Sequence, residues 1–212
     1  MAIITQGILG QIIGKTGPVV SYIRFGQNIT RSKSNSNKNR IETPDRKKQR
    51  DKIRVCNEFT RAFSGTGFFN KSFPAYGHTG SGYNGATSAI MNKAIVNNPE
   101  VILSYPKVLI SQGPIPSVEY ASALVNAAGN IQFTWTDNAG KGTAKENDTA
   151  IMVAYFPATK EAVYKFSDAT RKDLTAVLEI GLQKGTAETW VGFLSTYEKN
   201  AADSMYAGSI IL

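Results

Sequence analysis

Few residues in this chain could do chemistry, and their spacing decides which chemistries are open. A single histidine, His78, sits in the glycine-rich run AYGHTGSGYNG, and a single cysteine, Cys56, sits in RVCNEF. One of each is too few for a Cys/His zinc cage or a disulfide framework. A serine hydrolase would need GxSxG at a strand-to-helix turn, and the chain has none. His78 therefore reads as a loop residue and Cys56 as a small buried one. Gly14-Lys15-Thr16 matches the end of a phosphate-binding loop, but Leu9 stands where GxxxxGKT requires glycine, and Gly17-Pro18 follows where a helix should start. A turn is the simpler reading.

Asp137, Asn138, Glu146, Asn147 and Asp148 offer oxygens of the kind calcium takes. Lys141 and Lys145 dilute their charge and the EF-hand spacing is missing, which favours a solvated loop between strands. We expect no catalytic residue, no cofactor, no metal site and no small-molecule substrate.

The strongest signal is electrostatic. Residues 1–71 carry 14 Lys/Arg and 4 Asp/Glu, a balance of +10, whereas residues 72–212 carry 10 and 12, a balance of −2. Ten cations crowd into 31–54 against three acids: Arg31, Lys33, Lys38, Arg40, Arg46, Lys47, Lys48, Arg50, Lys52 and Arg54. Such a segment suits a polyanion, because each neutralised phosphate releases counterions. It has no aromatic residue to stack a base, so contact would position phosphates without reading sequence. A solvated helix face, or pairing with acidic patches of a neighbouring subunit, is the competing reading.

The elements that must position these residues change character along the chain. Residues 1–17 are apolar but broken by Gly7, Gly10, Gly14 and Gly17, which predicts an extended arm or loop rather than a helix. The arm presents Ile3, Ile4, Ile8, Leu9, Ile12 and Ile13 as assembly candidates. Residues 18–33 read as a β-hairpin turning at Gly26-Gln27. Thr43-Pro44-Asp45 starts a helix expected over 44–64, since threonine caps, proline suits the first turn and the acid favours the positive dipole end. A second helix is expected over 86–97. From residue 101 onward short strands recur, at 101–111, 130–136, 149–156, 161–166, 174–180, 189–196 and 204–211. Ile131/Phe133/Trp135 and Ala176/Leu178/Ile180 supply inward faces, with Trp135 and Trp190 filling the core. The expected fold is mostly β with two helices, α+β overall. A basic region, 1–100, precedes an antiparallel sandwich of the fibronectin type III or immunoglobulin kind, 101–212.

The runs GILGQIIGKTGPVV, ITRSKS, KVLISQG, FTWTDNAGKGTAKENDTA, PATKEAVY and WVGFLS resemble an uncharacterised family found across the Bacteroidota and catalogued only as a domain of unknown function. The resemblance runs from near residue 6 to the C-terminus. It implies a shared architecture and transfers no activity or site residue.

The N-terminus has no basic residue ahead of its apolar stretch and reads poorly as a secretory signal. No run of about 18 apolar residues exists to span a membrane. The expectation is a protein made in the cytoplasm, with release inside a particle compatible with it. Its expected role is a non-enzymatic structural subunit that self-associates or docks in a larger, phage-like particle. The alternative is a nucleic-acid-binding protein acting through 31–54.

Overall fold

The computed structural model describes residues 2–4, 10–24, 26–33, 42–74, 81–97, 100–197 and 199–212. Two compact units emerge, Met1–Thr43 and Pro44–Leu212.

In the first unit, β1 (Ala2–Ile4), β2 (Ile12–Thr16), β3 (Val19–Arg24) and β4 (Gln27–Ser32) form one antiparallel sheet in chain order. The β-branched runs supply the pleat-compatible side chains. The expected hairpin is present, with Arg24 paired to Gln27 and Gly26 at φ 77°, a conformation costly for other residues. Gln27 belongs to the strand, not the turn. The arm is not loose: β1 and β2 extend the hairpin, pairing Ile3 with Ile13 and Ile4 with Ile12. Gly14-Lys15-Thr16 lies inside β2 and is neither a turn nor a phosphate loop.

The second unit opens with α1 (Pro44–Arg61), three residues shorter than expected, followed by α2 (Phe68–Ser72), which the sequence did not announce. The next helix, α3 (Gly82–Lys93), starts four residues before the expected 86. Its cap is Ser81, whose Oγ accepts from the Asn84 amide at 3.3 Å. Residues expected to end it instead form β5 (Ile95–Asn97), paired with β6 (Val101–Leu103).

The sandwich follows: β7 (Ala121–Val125), β8 (Ile131–Trp135), β9 (Thr149–Phe156), β10 (Glu161–Thr170), β11 (Thr175–Leu178), β12 (Thr186–Leu194) and β13 (Met205–Ile211). Of these seven strands the first, second and fifth make one sheet, and the third, fourth, sixth and seventh make the other. This is the expected immunoglobulin-like arrangement of two antiparallel sheets. Gly113 lets the entering chain press on the Ala201 backbone; a Cβ there would sit 2.0 Å from the Ala201 carbonyl oxygen.

Two cores share one sheet. Ile131, Phe133 and Trp135 of the three-stranded sheet pack against Met152, Ala154, Phe156, Val191 and Phe193 of the four-stranded one. From the other face of that same sheet, Ile151, Val153, Tyr155 and Trp190 pack against Cys56, Phe59 and Phe63 of the α1 segment, Phe68 and Phe69 of α2 and Ile90 of α3. Trp135 and Trp190 are both buried. The compact units divide at 43/44, whereas the sequence reading draws its line at 100/101. The helices are a third layer of the sandwich domain, because without them one whole apolar sheet face would meet water.

Candidate functional site

Register and the two-residue period of a strand sort the N-terminal sheet into two faces. Lys15, Val20 and Arg31 form one cross-strand row, and Tyr22 pairs with Ile29 on the same side. Alternation adds Ile3, Ile13 and Arg24 to that face. The other face carries Ile12, Gly14, Thr16, Val19, Ser21, Ile23, Asn28, Thr30 and Ser32, none of them charged. There the Ser21 and Thr30 hydroxyls hydrogen-bond at 3.0 Å. On the charged face the Arg31 guanidinium lies 5.8 Å from the Tyr22 ring centre.

Among the described residues of 1–43 no hydrophobic side chain is buried, while Ile3 is 66% exposed, Ile13 43% and Ile23 40%. Of the assembly candidates, Ile3 and Ile13 are brought together on one face and Ile12 stands on the other. Ile4 is placed only through its pairing with Ile12, and Ile8 and Leu9 lie outside the described residues.

The described polyanion candidates belong to both units. Arg31 is the penultimate residue of β4 and Lys33 follows the strand, its amide donating to the Pro18 carbonyl at 2.7 Å. Lys38 and Arg40 lie outside the described residues. The others ride on α1, whose residues 44–50 are exposed on every side, so its first two turns stand clear of any core. At about 100° per residue, Arg46, Lys47, Arg50 and Arg54 fall on one side and Lys48 and Lys52 on the other. Asp45 neighbours the second group, and Asp51 the first, with its carboxylate 3.6 Å from Arg54. Lys15 and Arg24 are basic positions that the 31–54 grouping left out. The register of the hairpin was the signal that could have found them.

The acidic-polar stretch turns out differently from either sequence reading. Asp137, Glu146 and Asn147 are exposed, but Asn138 and Asp148 are buried. Asp148 pairs with Arg171, itself fully buried, at 3.3 Å. An Arg171 Nη donates to Asn138 Oδ1, and the guanidinium sits 4.2 Å from the Phe193 ring centre. Arg171 also ties the chain together through its backbone, donating to the Asp148 carbonyl at 2.8 Å and accepting from the Trp135 indole at 2.8 Å. Burial lowers the Arg171 pKa and the Asp148 charge opposes that shift. The cluster is a structural pin at one end of the sandwich. Asp148 is committed to a cation the protein already supplies, so the solvated-loop reading fails at Asn138 and Asp148.

A cleft of about 300 Å³ opens where α1 meets β6 and β9, walled by Val55, Phe59, Leu103, Tyr105 and Tyr155. Its rim carries the ion pair of Glu58 and Lys160. Lys160 holds the Glu58 carboxyl below its usual range, and burial pushes the Tyr155 phenol up to about 12. The phenols stay protonated at neutral pH and the Glu58 carboxylate is paired with Lys160. Cys56 behaves as a core residue: its thiol contacts the Thr87 carbonyl oxygen at 3.6 Å, and burial raises its pKa to about 11. His78 lies outside the described residues. Among the described residues no three His, Cys, Asp or Glu side chains cluster as a metal site would require. Nor is any helix there long and apolar enough to cross a membrane.

An immunoglobulin-like sandwich sealed by a helical layer and preceded in the chain by a basic four-stranded sheet is the class the fold defines. The chain belongs to a family of unknown function (DUF6266), whose model matches residues 4–208. A search of the curated proteins found no match.

Proposed function

We propose that this chain is a non-catalytic assembly subunit whose N-terminal sheet is completed by another copy or by another subunit of a larger particle. One observation carries the reading: a four-stranded sheet with no buried hydrophobic side chain among its described residues, and with Ile3, Ile13 and Ile23 exposed. Sheets gain independent stability from a covered apolar face, and this one is short and open. Covering Ile3 and Ile13, which share one face, would contribute about 2–3 kcal/mol before the costs of association. The described residues with chemical potential support a role without turnover, since Cys56 is buried as a thiol, Asp148 is paired and the cleft phenols are protonated.

Light scattering of the full chain across a concentration series tests this directly. An oligomer is expected, weakened in a chain carrying Ile3→Ser and Ile13→Ser. A strict monomer at high concentration would refute the proposal. An oligomer indifferent to both substitutions would move the interface away from this sheet.

A further inference from the structure

The cleft between α1, β6 and β9 is walled by hydroxyls that no described residue engages. Tyr155 is only 3% exposed, yet it lines the cleft, and its hydroxyl has no hydrogen-bond partner among the described residues. The Tyr105 hydroxyl beside it has none either. A buried tyrosine hydroxyl ordinarily finds a partner, so two open ones at a single cavity point to an occupant. The Tyr155 ring centre lies 4.8 Å from that of Phe59 and 6.0 Å from that of Tyr105, with the planes tilted by 59° and 42°. The rings therefore make angled walls rather than a stack, and aromatic faces attract cations.

The charges nearby favour the same sign of ligand. Burial raises the Tyr105 pKa most, and the carboxylates of Glu188 and Glu58 raise it further. Glu58 lines the cleft, and Lys160 pairs with it at the rim. Arg54 and Arg61 also act on Glu58 from neighbouring turns of α1, but neither lines the cleft. Lys160 holds its place at φ 59°, a backbone conformation that suits glycine. An ammonium is thus presented to the mouth of an aromatic cavity from a costly position. Its ion pair is exposed enough to exchange with solvent.

We infer that this cleft binds a small alkylammonium ion, which replaces the Lys160 ammonium at Glu58. The aromatic faces and Glu58 hold the charge, the open phenol oxygens accept from its N–H groups, and Val55 and Leu103 cover its alkyl part. At about 30 Å³ for each water-sized group, the cavity takes roughly ten heavy atoms. A carboxylate ligand would meet Glu58 and the negative faces of the rings instead. The cleft lies within Pro44–Leu212 and does not depend on the interface proposed for the N-terminal sheet.

NMR titration of the full chain, nitrogen-15 labelled, with n-butylammonium tests the assignment; 1-butanol and butyrate serve as neutral and anionic probes of like shape. Amide shifts at Val55 and Leu103 should saturate by about 10 mM, since an affinity on the order of 1 mM is ordinary for so small a probe. Butanol and butyrate should bind more weakly by about fivefold or more, the scale of one cation–π contact. Tyr105→Leu should weaken butylammonium by about the same factor, while Tyr105→Phe keeps the wall and most of the affinity. Glu58→Gln should weaken it as well. Lys160→Gly removes the competing ammonium, suits the backbone there, and should tighten binding about twofold to fivefold, the worth of an exposed ion pair. The amide spectrum of each variant verifies its fold. Butyrate binding as tightly as butylammonium would overturn the inference, and so would weaker binding in Lys160→Gly. Absence of shifts at Val55 and Leu103 by about 10 mM, ample for an affinity of this order, would do the same.

Discussion

This molecule builds four-stranded antiparallel sheets twice, and the two could hardly be supported more differently. The sheet of β10, β9, β12 and β13 is buried on both faces, by the three-stranded sheet on one side and the helices on the other. The sheet of β1 to β4 has strands of 3–6 residues and no buried hydrophobic side chain among its described residues. Ladder hydrogen bonds are common to both, so pairing alone does not separate them. What differs is the apolar surface removed from water, the dominant favourable term in folding. One sheet is the centre of a domain, and the other has the hydrogen bonds of a sheet without a buried hydrophobic side chain among its described residues.

The largest effect should come from opening the helical layer off the doubly covered sheet. Phe59 is buried where its ring centre lies 4.8 Å from that of Tyr155, 5.5 Å from Phe63 and 5.9 Å from Trp190. Phe59→Ala should cost about 3–5 kcal/mol, the range for emptying an aromatic site in a core. Urea denaturation measures it. A loss below about 1 kcal/mol, too small for a cavity of that size, would mean that the helices merely lean on the sheet.

Next comes the polar pin at the sandwich end. Arg171→Met strands the buried Asp148 carboxylate without its cation and should cost about 3 kcal/mol. The lower end of the usual range applies because Asp148 still accepts from the Lys145 amide at 2.9 Å. Replacing both, Arg171→Met with Asp148→Leu, should recover most of the loss, since an apolar pair escapes the desolvation penalty. If the double variant is as unstable as the single one, the backbone bonds of this loop matter more than the ion pair.

The sandwich was legible where its sheets obey a simple period. Ile131/Phe133/Trp135 and Ala176/Leu178/Ile180 alternate because one face of their sheet meets the core and the other does not. The run AIMVAYF in β9 shows no alternation, and all seven residues are buried. That pattern was the available sign that the sheet is covered twice, and hence that α1 to α3 belong to the same domain. Strand β7, ASALV, was missed because alanine and serine give little strand signal; its inward positions, Ala121 and Ala123, are small. At the candidate site the arm's glycines suggested a loop, and pairing with β1 and β3 makes β2 a strand. The partner of Asp148 was hidden because Arg171 is distant in sequence and an arginine is ordinarily expected at the surface.

The smallest expected effect bears on the open sheet. Ile13 is 43% exposed and shares its face with Ile3 and Lys15. Ile13→Ser removes apolar surface that the free chain leaves in water, so the main unfolding transition should move by no more than about 0.5 kcal/mol. Association has the opposite sensitivity: every protomer loses the side chain that an interface would cover, and the oligomer should dissociate at higher concentration. Measuring both quantities on one variant separates them, because denaturation reports chiefly the large unit and dilution reports the contact. An unfolding loss above about 1 kcal/mol, well outside the surface range, would show that the N-terminal sheet folds cooperatively with the sandwich. The two sheets would then be parts of one stability unit, and the exposed isoleucines would owe their place to folding rather than to assembly.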